Sequence, residues 1–266
     1  MANTTLNGVN IHYRIDGPVD APTILFSNSL GTDLHMWDPV VDLLKSNWRC
    51  LRYDTRGHGK SAIVAGPYTI EILADDAYKL VEYLELSQVH FCGLSLGGLT
   101  GQRLALTLSH RLKSLTLANT AAHIPSEQAW NDRISSINDK GIKALSDGMM
   151  SRWFSGSFPS LHPDRFSAMK TMFERCDAAG YVAACAAVRD ADFRAQLSDI
   201  TLPTLIIAGL DDVATPLEMA EALHDGISGS QLTTLKPAGH ISSMEQPKAF
   251  ADTLSDFLTR AEGDGK

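Results

Sequence analysis

The sequence predicts an α/β fold: a mostly parallel central sheet with an antiparallel N-terminal hairpin, helices on both faces and an inserted helical lid. Short apolar runs of strand length alternate with amphipathic stretches of helical length over most of the chain. Strands that alternate with helices in this way form parallel sheets that are covered on both faces. Between residues 122 and 193 the alternation stops, and helical patterns take its place.

The first half of the chain supplies the hairpin and the first strands and helices of the sheet. The turn pair Asn7-Gly8, followed by the apolar run Ile11–Ile15, is typical of a β-hairpin. Apolar residues recur at helical spacing over Ile70–Leu84, which predicts a helix packed on the sheet. Four further strands and two further helical segments are expected at Thr23–Ser27, Arg49–Tyr53, Val89–Leu94, Leu112–Asn119, Trp37–Lys45 and Gly97–Leu108.

The block that interrupts the alternation predicts three helices. Their apolar stripes lie at Trp130–Ile137, Phe166–Cys176 and Tyr181–Val188, and Pro163 before the second stripe is typical of a helix start. Alternation then resumes with two strands and two helices at Thr204–Ala208, Gln231–Leu235, Pro216–Asp225 and Pro247–Arg260. We therefore predict a core domain of residues 1–121 and 194–266, a helical lid of residues 122–193, and a loose tail at Glu262–Lys266.

Composition excludes several classes of protein. The 266 residues carry a formal net charge of −8 without a run of lysine or arginine, so no nucleic-acid partner is expected. The apolar stretches are far shorter than the roughly 20 residues that cross a bilayer, so no membrane partner is expected either. The N-terminus lacks the basic and apolar regions of a secretory signal. We expect a cytoplasmic protein of unspecified oligomeric state whose four cysteines are reduced and buried: Cys50, Cys92, Cys176 and Cys185.

The strongest local signal for chemistry is the pattern G-x-S-x-G at Gly93–Gly97, between a predicted strand and a predicted helix. The glycines let the chain reverse sharply, so that the Ser95 hydroxyl stands above the edge of the sheet. The N–H of Leu96 then lies at a helix N-terminus, where partial positive charge stabilises an oxyanion. A glycine-rich turn with a capping serine is the alternative, but the strand–turn–helix context favours a nucleophile.

A nucleophilic serine needs a base, and the base needs a group that orients it. Asp212 and His240 each follow a predicted strand, at the sheet edge where Ser95 is expected. Taken singly, the aspartate could be a turn residue and the histidine a surface loop residue. Asp211 competes for the role of the acid, and the spacing G-x-x-D-x-x-T-P favours Asp212.

These motifs resemble those of the α/β-hydrolase superfamily, in which the triad has the chain order Ser…Asp…His. The segments Gly93–Gly98 and Arg56–Ser61 carry the resemblance together with the Asp212 and His240 loops. More narrowly, three segments resemble the 3-oxoadipate enol-lactonases: Ser27–Asp33, Leu51–Gly59 and Phe91–Gly101. That family hydrolyses an enol-lactone to 3-oxoadipate (β-ketoadipate) in the β-ketoadipate pathway of bacterial aromatic catabolism. This resemblance implies an α/β-hydrolase fold, an acyl-enzyme on Ser95 and a small anionic lactone as substrate, with no cofactor.

The loop after the strand Thr23–Ser27 departs from the superfamily pattern, which has His-Gly where this chain has Asn28-Ser29. The same residues belong to the enol-lactonase resemblance, so we expect the backbone N–H groups of Leu30 and Leu96 to form the oxyanion hole. The polar cluster in the loop Asp54–Ser61 is expected to be structural. No H-E-x-x-H pattern or similar pairing of histidines predicts a metal site.

An acidic protein repels an anionic substrate, so attraction must come from a local cation such as an arginine. Trp130 and Arg133 share one face of a predicted lid helix, and Arg152 and Trp153 lie next to each other further along the lid. We expect these four residues to bind the substrate, although packing tryptophans and solvated arginines would fit the same pattern. A carboxylesterase, another lactonase or a carbon–carbon hydrolase would use the same triad, and a non-catalytic ligand receptor could share the fold.

Overall fold

The computed structural model describes residues 1–263, and an eight-stranded sheet forms the centre of this part of the chain. The strands are β1 (Ala2–Leu6), β2 (Val9–Asp16), β3 (Thr23–Ser27), β4 (Arg49–Tyr53), β5 (Val89–Leu94), β6 (Leu112–Ala118), β7 (Thr204–Gly209) and β8 (Gln231–Leu235). Their order is β1-β2-β4-β3-β5-β6-β7-β8; β2 is antiparallel to both β1 and β4, and all other neighbours are parallel. The predicted mostly parallel sheet with an antiparallel hairpin is confirmed.

Helices cover both faces of the sheet, because its central strands are mostly apolar and buried along their whole length. Every residue of β3, β5 and β7 is buried, which requires packing on both faces. The α-helices are α1 (Asp38–Leu44), α2 (Ile70–Tyr83), α3 (Leu96–Thr107), α4 (Glu127–Lys140), α5 (Ser146–Trp153), α6 (Phe158–Leu161), α7 (Pro163–Arg175), α8 (Ala178–Asp190), α9 (Leu217–Gly226), α10 (Ser242–Glu245) and α11 (Pro247–Gly263). Helices α1 and α11 pack together, and so do α2 and α3.

The five helices α4–α8 lie between β6 and β7 in the chain, in the region where strand–helix alternation stops. Helix α4 packs on α8, and α5 packs on α7. Helices α5 and α6 are absent from the sequence-based prediction because they have only eight and four residues, too few for an apolar period to repeat. Helix α5 nevertheless buries Met149, Met150 and Trp153.

The C-terminal helix α11 extends further than the sequence predicts. Glu262 is helical, and its Oε1 lies 2.9 Å from His90 Nε2 and also accepts a hydrogen bond from Lys113 Nζ. The prediction of a loose tail is therefore wrong for Glu262 and Gly263, and the remainder of that tail lies outside the described residues. The ion pair to Lys113 holds the last turn on the sheet, a long-range contact without a local sequence signal.

The four cysteines are expected to be reduced and buried, and no segment is expected to span a membrane. Cys50, Cys92, Cys176 and Cys185 are all buried free thiols. Burial raises the pKa of each thiol, which keeps it protonated and unreactive. Among residues 1–263, the structure has no helix with the length and apolar character needed to cross a bilayer.

Candidate active site

The parallel strands end together at one edge of the sheet, and this edge carries the candidate catalytic residues. Ser27 pairs with Gly93, Leu94 with Ala118 and Gly209 with Leu235 in the sheet register. The loops that follow these strands are therefore neighbours, and they contain Ser95 and both Asp212 and His240. This is the position at which open α/β sheets bind ligands.

Ser95 lies in a sharp turn between β5 and α3. Its φ of 57° and ψ of −112° form a backbone conformation that non-glycine residues rarely adopt and that clusters at functional sites. The flanking glycines are sterically required. A Cβ on Gly93 would lie 2.1 Å from Gly97 O, and a Cβ on Gly97 would lie 2.2 Å from Ser27 O. The G-x-S-x-G pattern thus reflects close packing of this turn against β3 and against itself.

Asp212 and His240 form a buried pair. Asp212 Oδ2 accepts hydrogen bonds from His240 Nδ1 at 2.9 Å, Thr215 Oγ1 at 2.7 Å and Asn119 Nδ2 at 3.0 Å. Asp212 Oδ1 accepts from the backbone N–H groups of Ala214 and Thr215. Burial opposes ionisation of this carboxyl, but the imidazole and the hydrogen bonds outweigh it and lower the pKa of Asp212 to about 2. The acid is therefore ionised at neutral pH.

The carboxylate determines which nitrogen of His240 carries the proton. An ionised carboxylate only accepts hydrogen bonds, so Nδ1 must be the donor, and Nε2 keeps a lone pair. Ser95 and His240 line the same cavity. The cavity encloses about 690 Å³ including its mouth, within the range of roughly 300–1,000 Å³ that is usual for small-molecule sites. A base and a candidate nucleophile thus face one small-ligand cavity.

The loop after β3 lies against the Ser95 turn, where an oxyanion would form. Gly97 N donates to Asn28 O at 3.0 Å and ties the two segments together. The Asn28 side chain is fixed from both ends, because Trp37 Nε1 donates to its Oδ1 and its Nδ2 donates to Tyr53 O, each at 2.9 Å. Within residues 1–263, the N–H groups of Leu30 and Leu96 have no protein acceptor. They are therefore available to an anionic oxygen.

The polar loop Asp54–Ser61 makes structural contacts. Asp54 accepts hydrogen bonds from the N–H groups of Leu34 and Lys60, each at 2.8 Å. His58 Nε2 accepts from Gly31 N at 3.0 Å, directly after Leu30 in the chain. Burial lowers the pKa of His58 to about 4, so its imidazole is neutral and can accept this bond. The loop supports the backbone from which an oxyanion donor is expected.

All four expected substrate-binding residues line the cavity that contains Ser95 and His240. Trp130 is held by its Nε1, which donates to Ile124 O at 2.9 Å, and the Arg133 guanidinium lies 4.4 Å from the centre of its ring. Trp153 is buried, and Arg152 is exposed at the rim. In the described part of the chain neither arginine pairs with a carboxylate, and no acidic residue lines the cavity.

The segment after helix α5 also holds the loop that carries His240. Glu245 accepts hydrogen bonds from Gly239 N at 2.6 Å and from both Ser155 N and Ser155 Oγ. On the other side of the histidine, Ile241 N donates to Trp153 O at 3.1 Å. The segment from Trp153 to Ser155 is therefore connected to both neighbours of His240, directly to Ile241 and through Glu245 to Gly239. These hydrogen bonds connect the cavity wall at Trp153 to the position of the candidate base, His240.

Sequence reasoning missed three residues at this site: Asn119, Thr215 and Tyr181. Asn119 follows β6 directly and has a φ of 43°, so its place after a strand was the signal that could have found it. Thr215 belongs to the G-x-x-D-x-x-T-P spacing, which was used to choose the acid without giving the threonine a role. Tyr181 was assigned only to the apolar stripe of a lid helix. Among residues 1–263 no cluster of three or more histidine, cysteine or acidic side chains could hold a metal ion.

Comparison with known proteins identifies the family. The sequence model of the alpha/beta hydrolase family matches residues 24–253. The chain is 39% identical over 257 residues to 3-oxoadipate enol-lactonase 1 of Acinetobacter baylyi, covering 96% of this chain and 95% of that protein. It is 37% identical to 3-oxoadipate enol-lactonase 2 of the same organism, over 96% of each chain. The chain belongs to the α/β-hydrolase family.

Solved structures agree with the sequence comparison. The crystal structure of the enol-lactonase from Burkholderia xenovorans LB400 superposes on this α/β hydrolase with a TM-score of 0.95 and 41% identity, covering 97% and 100% of the two chains. The predicted resemblance to the 3-oxoadipate enol-lactonases is confirmed, and so is the prediction of an ester-hydrolysing enzyme.

Proposed function

We propose that this α/β hydrolase opens 3-oxoadipate enol-lactone to 3-oxoadipate, with Ser95 as nucleophile, His240 as base and Asp212 as the group that orients the base. The observation that carries the proposal is the cavity lined by the serine, the imidazole and two arginines, neither of which pairs with a carboxylate among residues 1–263. The enol-lactonases of A. baylyi and B. xenovorans support this choice of substrate. The reaction belongs to the β-ketoadipate pathway of aromatic catabolism, and a cytoplasmic location stays a prediction.

The first half of the reaction forms an acyl-enzyme. His240 Nε2 takes the proton of Ser95 Oγ as the oxygen attacks the lactone carbonyl, and ionised Asp212 stabilises the resulting imidazolium. The N–H groups of Leu30 and Leu96 donate to the tetrahedral oxyanion; one such donor typically contributes about 2.7–4 kcal/mol to transition-state stabilisation. Collapse of the intermediate breaks the bond between the carbonyl carbon and the ring oxygen. His240 returns its proton to the leaving enolate oxygen.

The second half of the reaction releases the product. The freed enol remains attached to the acyl chain and tautomerises to the ketone, which makes reclosure of the ring unfavourable. His240 Nε2 then takes a proton from water, whose oxygen attacks the acyl carbon. Breaking of the ester bond returns that proton to Ser95 Oγ and leaves 3-oxoadipate. Proton transfer and preformed backbone dipoles are sufficient for each of these steps.

The substrate carries one carboxylate, and we assign its binding to Arg133. This arginine is half-buried, stacked on a tryptophan that is itself fixed, and therefore loses little conformational freedom on binding. The exposed Arg152 attracts the anion at the mouth of the cavity, against the field of a protein with a net charge of −8. Trp130 and Trp153 form apolar walls around the ring. Residues 122–193 act as the lid that supplies all four side chains.

Product analysis tests the proposed function. Purified protein mixed with the enol-lactone is expected to yield one equivalent of 3-oxoadipate, with a much higher kcat/KM than for the neutral ester p-nitrophenyl acetate. Rapid hydrolysis of neutral esters together with an inert enol-lactone would indicate a carboxylesterase. Binding of the lactone without turnover would indicate a receptor. Either result would overturn the proposal.

Replacing Arg133 with methionine is expected to raise KM for the enol-lactone about 10–100-fold, because a charge-assisted hydrogen bond to the carboxylate is lost. Methionine keeps an unbranched apolar chain against Trp130, so hydrolysis of p-nitrophenyl acetate should not change. Steady-state kinetics with both substrates measures the difference. Arg194→Met is the matched control, since Arg194 is exposed and paired with Asp192. An equal loss on both substrates would contradict the assignment.

A further inference from the structure

Tyr181 lines the catalytic cavity and carries a buried hydroxyl. The residue belongs to helix α8, lines the same cavity as Ser95 and His240, and is 0% exposed. Among the described residues, no group meets the geometry of a full hydrogen bond to its Oη, although the Arg133 guanidinium lies close to it. A buried hydroxyl without a partner costs free energy in the folded protein, and unpaired groups of this kind need an explanation. A ligand that supplies the missing partner is such an explanation.

The ring of Tyr181 is held in place by its neighbours. It packs edge-on against Phe173, with ring centroids 5.6 Å apart and an interplanar angle of 90°. The loop after β3 also contacts the ring closely: a Cβ added to Gly31 in this loop would lie only 2.8 Å from Tyr181 Cε2. These contacts confine the side chain, so its hydroxyl cannot move to a partner elsewhere in the protein. Its hydroxyl is preorganised, which lowers the entropic cost of binding a ligand.

The surroundings of the hydroxyl favour an anionic partner. Burial raises the pKa of Tyr181, so the hydroxyl keeps its proton and remains a donor at neutral pH. The positively charged Arg133 guanidinium lies close enough to oppose this rise in pKa. Two donor groups therefore converge on one region of a cavity without acidic residues. A carboxylate accepts several hydrogen bonds at once and fits this arrangement.

We propose that Tyr181 is a substrate-binding residue whose hydroxyl donates to the same carboxylate that Arg133 binds. The inference rests on the proposed function, in which the substrate is a small lactone with one carboxylate. The Arg133 guanidinium shifts within its stack on Trp130 to admit the carboxylate oxygen next to Tyr181 Oη, whereas the tyrosine ring stays fixed. Tyr181 thereby adds directional recognition to the charge of the arginine, and it selects for anionic esters over neutral ones.

The variant Tyr181→Phe tests the proposal because it removes one oxygen and keeps the ring. We expect KM for the enol-lactone, and the inhibition constant of adipate against p-nitrophenyl acetate hydrolysis, to rise about 10–100-fold. The effect on the neutral ester should be much smaller, because p-nitrophenyl acetate has no carboxylate to accept the hydrogen bond. The melting temperature should stay the same or increase, since the variant no longer buries an unpaired hydroxyl.

Tyr68→Phe is the matched control. Tyr68 is also buried, but its hydroxyl donates to Val64 O at 2.8 Å, so its loss should lower the melting temperature and leave adipate inhibition unchanged. Unchanged adipate inhibition in Tyr181→Phe, or an equal loss on neutral and anionic substrates, would overturn the inference. If the wild-type protein leaves the enol-lactone intact while Tyr181→Phe still weakens adipate inhibition, the proposed reaction fails and the carboxylate site stands.

Discussion

Replacing Ser95 with alanine is expected to lower kcat for the enol-lactone by about 10⁴–10⁶-fold, the range found when the nucleophile of a triad is removed. The loss is this large because the remaining base and oxyanion donors can only activate water directly. Binding should survive, since the proposed carboxylate contacts lie on helices α4 and α8 and alanine fits the space of serine. Single-turnover kinetics measures the loss, and isothermal titration with the enol-lactone measures the retained affinity.

Ser198→Ala is the control for this experiment. Ser198 is exposed in the segment Arg194–Asp199, so the same chemical change there should leave kcat and KM unaltered. Retained turnover in Ser95→Ala would mean that the nucleophile is another residue. Loss of both turnover and binding would require a check of folding, because the Ser95 turn is packed against β3. A melting temperature equal to that of the wild type separates the two cases.

Asp212→Asn is expected to lower kcat by about 10⁴-fold, with little effect on KM. An asparagine amide can donate to Nδ1 of His240, which would leave the proton on Nε2 and remove the lone pair that accepts the serine proton. In the wild type, Thr215 Oγ1 and Asn119 Nδ2 both donate to the Asp212 carboxylate. The N–H₂ group of an asparagine at this position would face these donors and could not accept from them. Because the pKa of Asp212 is about 2, the wild-type acid is ionised throughout neutral pH. The ratio of the wild-type kcat to the variant kcat should therefore stay constant across neutral pH, as a pH profile of both proteins would measure.

The neighbouring acid provides a matched control for Asp212→Asn. Asp211 is exposed, and its carboxylate accepts a hydrogen bond from Ala238 N at 3.1 Å. Asp211→Asn should therefore cost some loop stability and leave kcat close to that of the wild type. A large loss in Asp211→Asn together with an active Asp212→Asn would reverse the roles of the two acids. Comparing the two variants at equal melting temperature excludes an effect of stability alone.

The sequence predicted the strands with high accuracy. The boundaries of β3, β4, β5 and β8 agree with the apolar runs found in the sequence, because turn residues flank each run on both sides. The short helices α5, α6 and α10 could not be found in this way. They have four to eight residues and lack an apolar period, so the surrounding tertiary structure stabilises them.

The sequence predicted the candidate catalytic triad but not all of the residues around it. Ser95, Asp212 and His240 could be selected because each follows a strand in a glycine-containing loop, and the ends of parallel strands meet at one edge. Asp212 could be preferred over Asp211 from spacing, but only the structure shows the buried acid bonded to the imidazole and its neighbour bonded to a backbone N–H. Asn119 needed long-range contacts to be recognised, because it lies 93 residues from Asp212 in the chain.

Local patterns thus determined the longer strands and helices and the side chains of the predicted triad, since turn residues and apolar periodicity act over a few residues. The tertiary structure alone decided how helices α4–α8 meet the strand ends. It joins Trp153 and Ser155 to the His240 loop, and it places Arg133 and Tyr181 along a cavity that no acidic residue lines among residues 1–263. These contacts join segments far apart in the chain, and their geometry depends on how helices pack in three dimensions, which a one-dimensional pattern does not record.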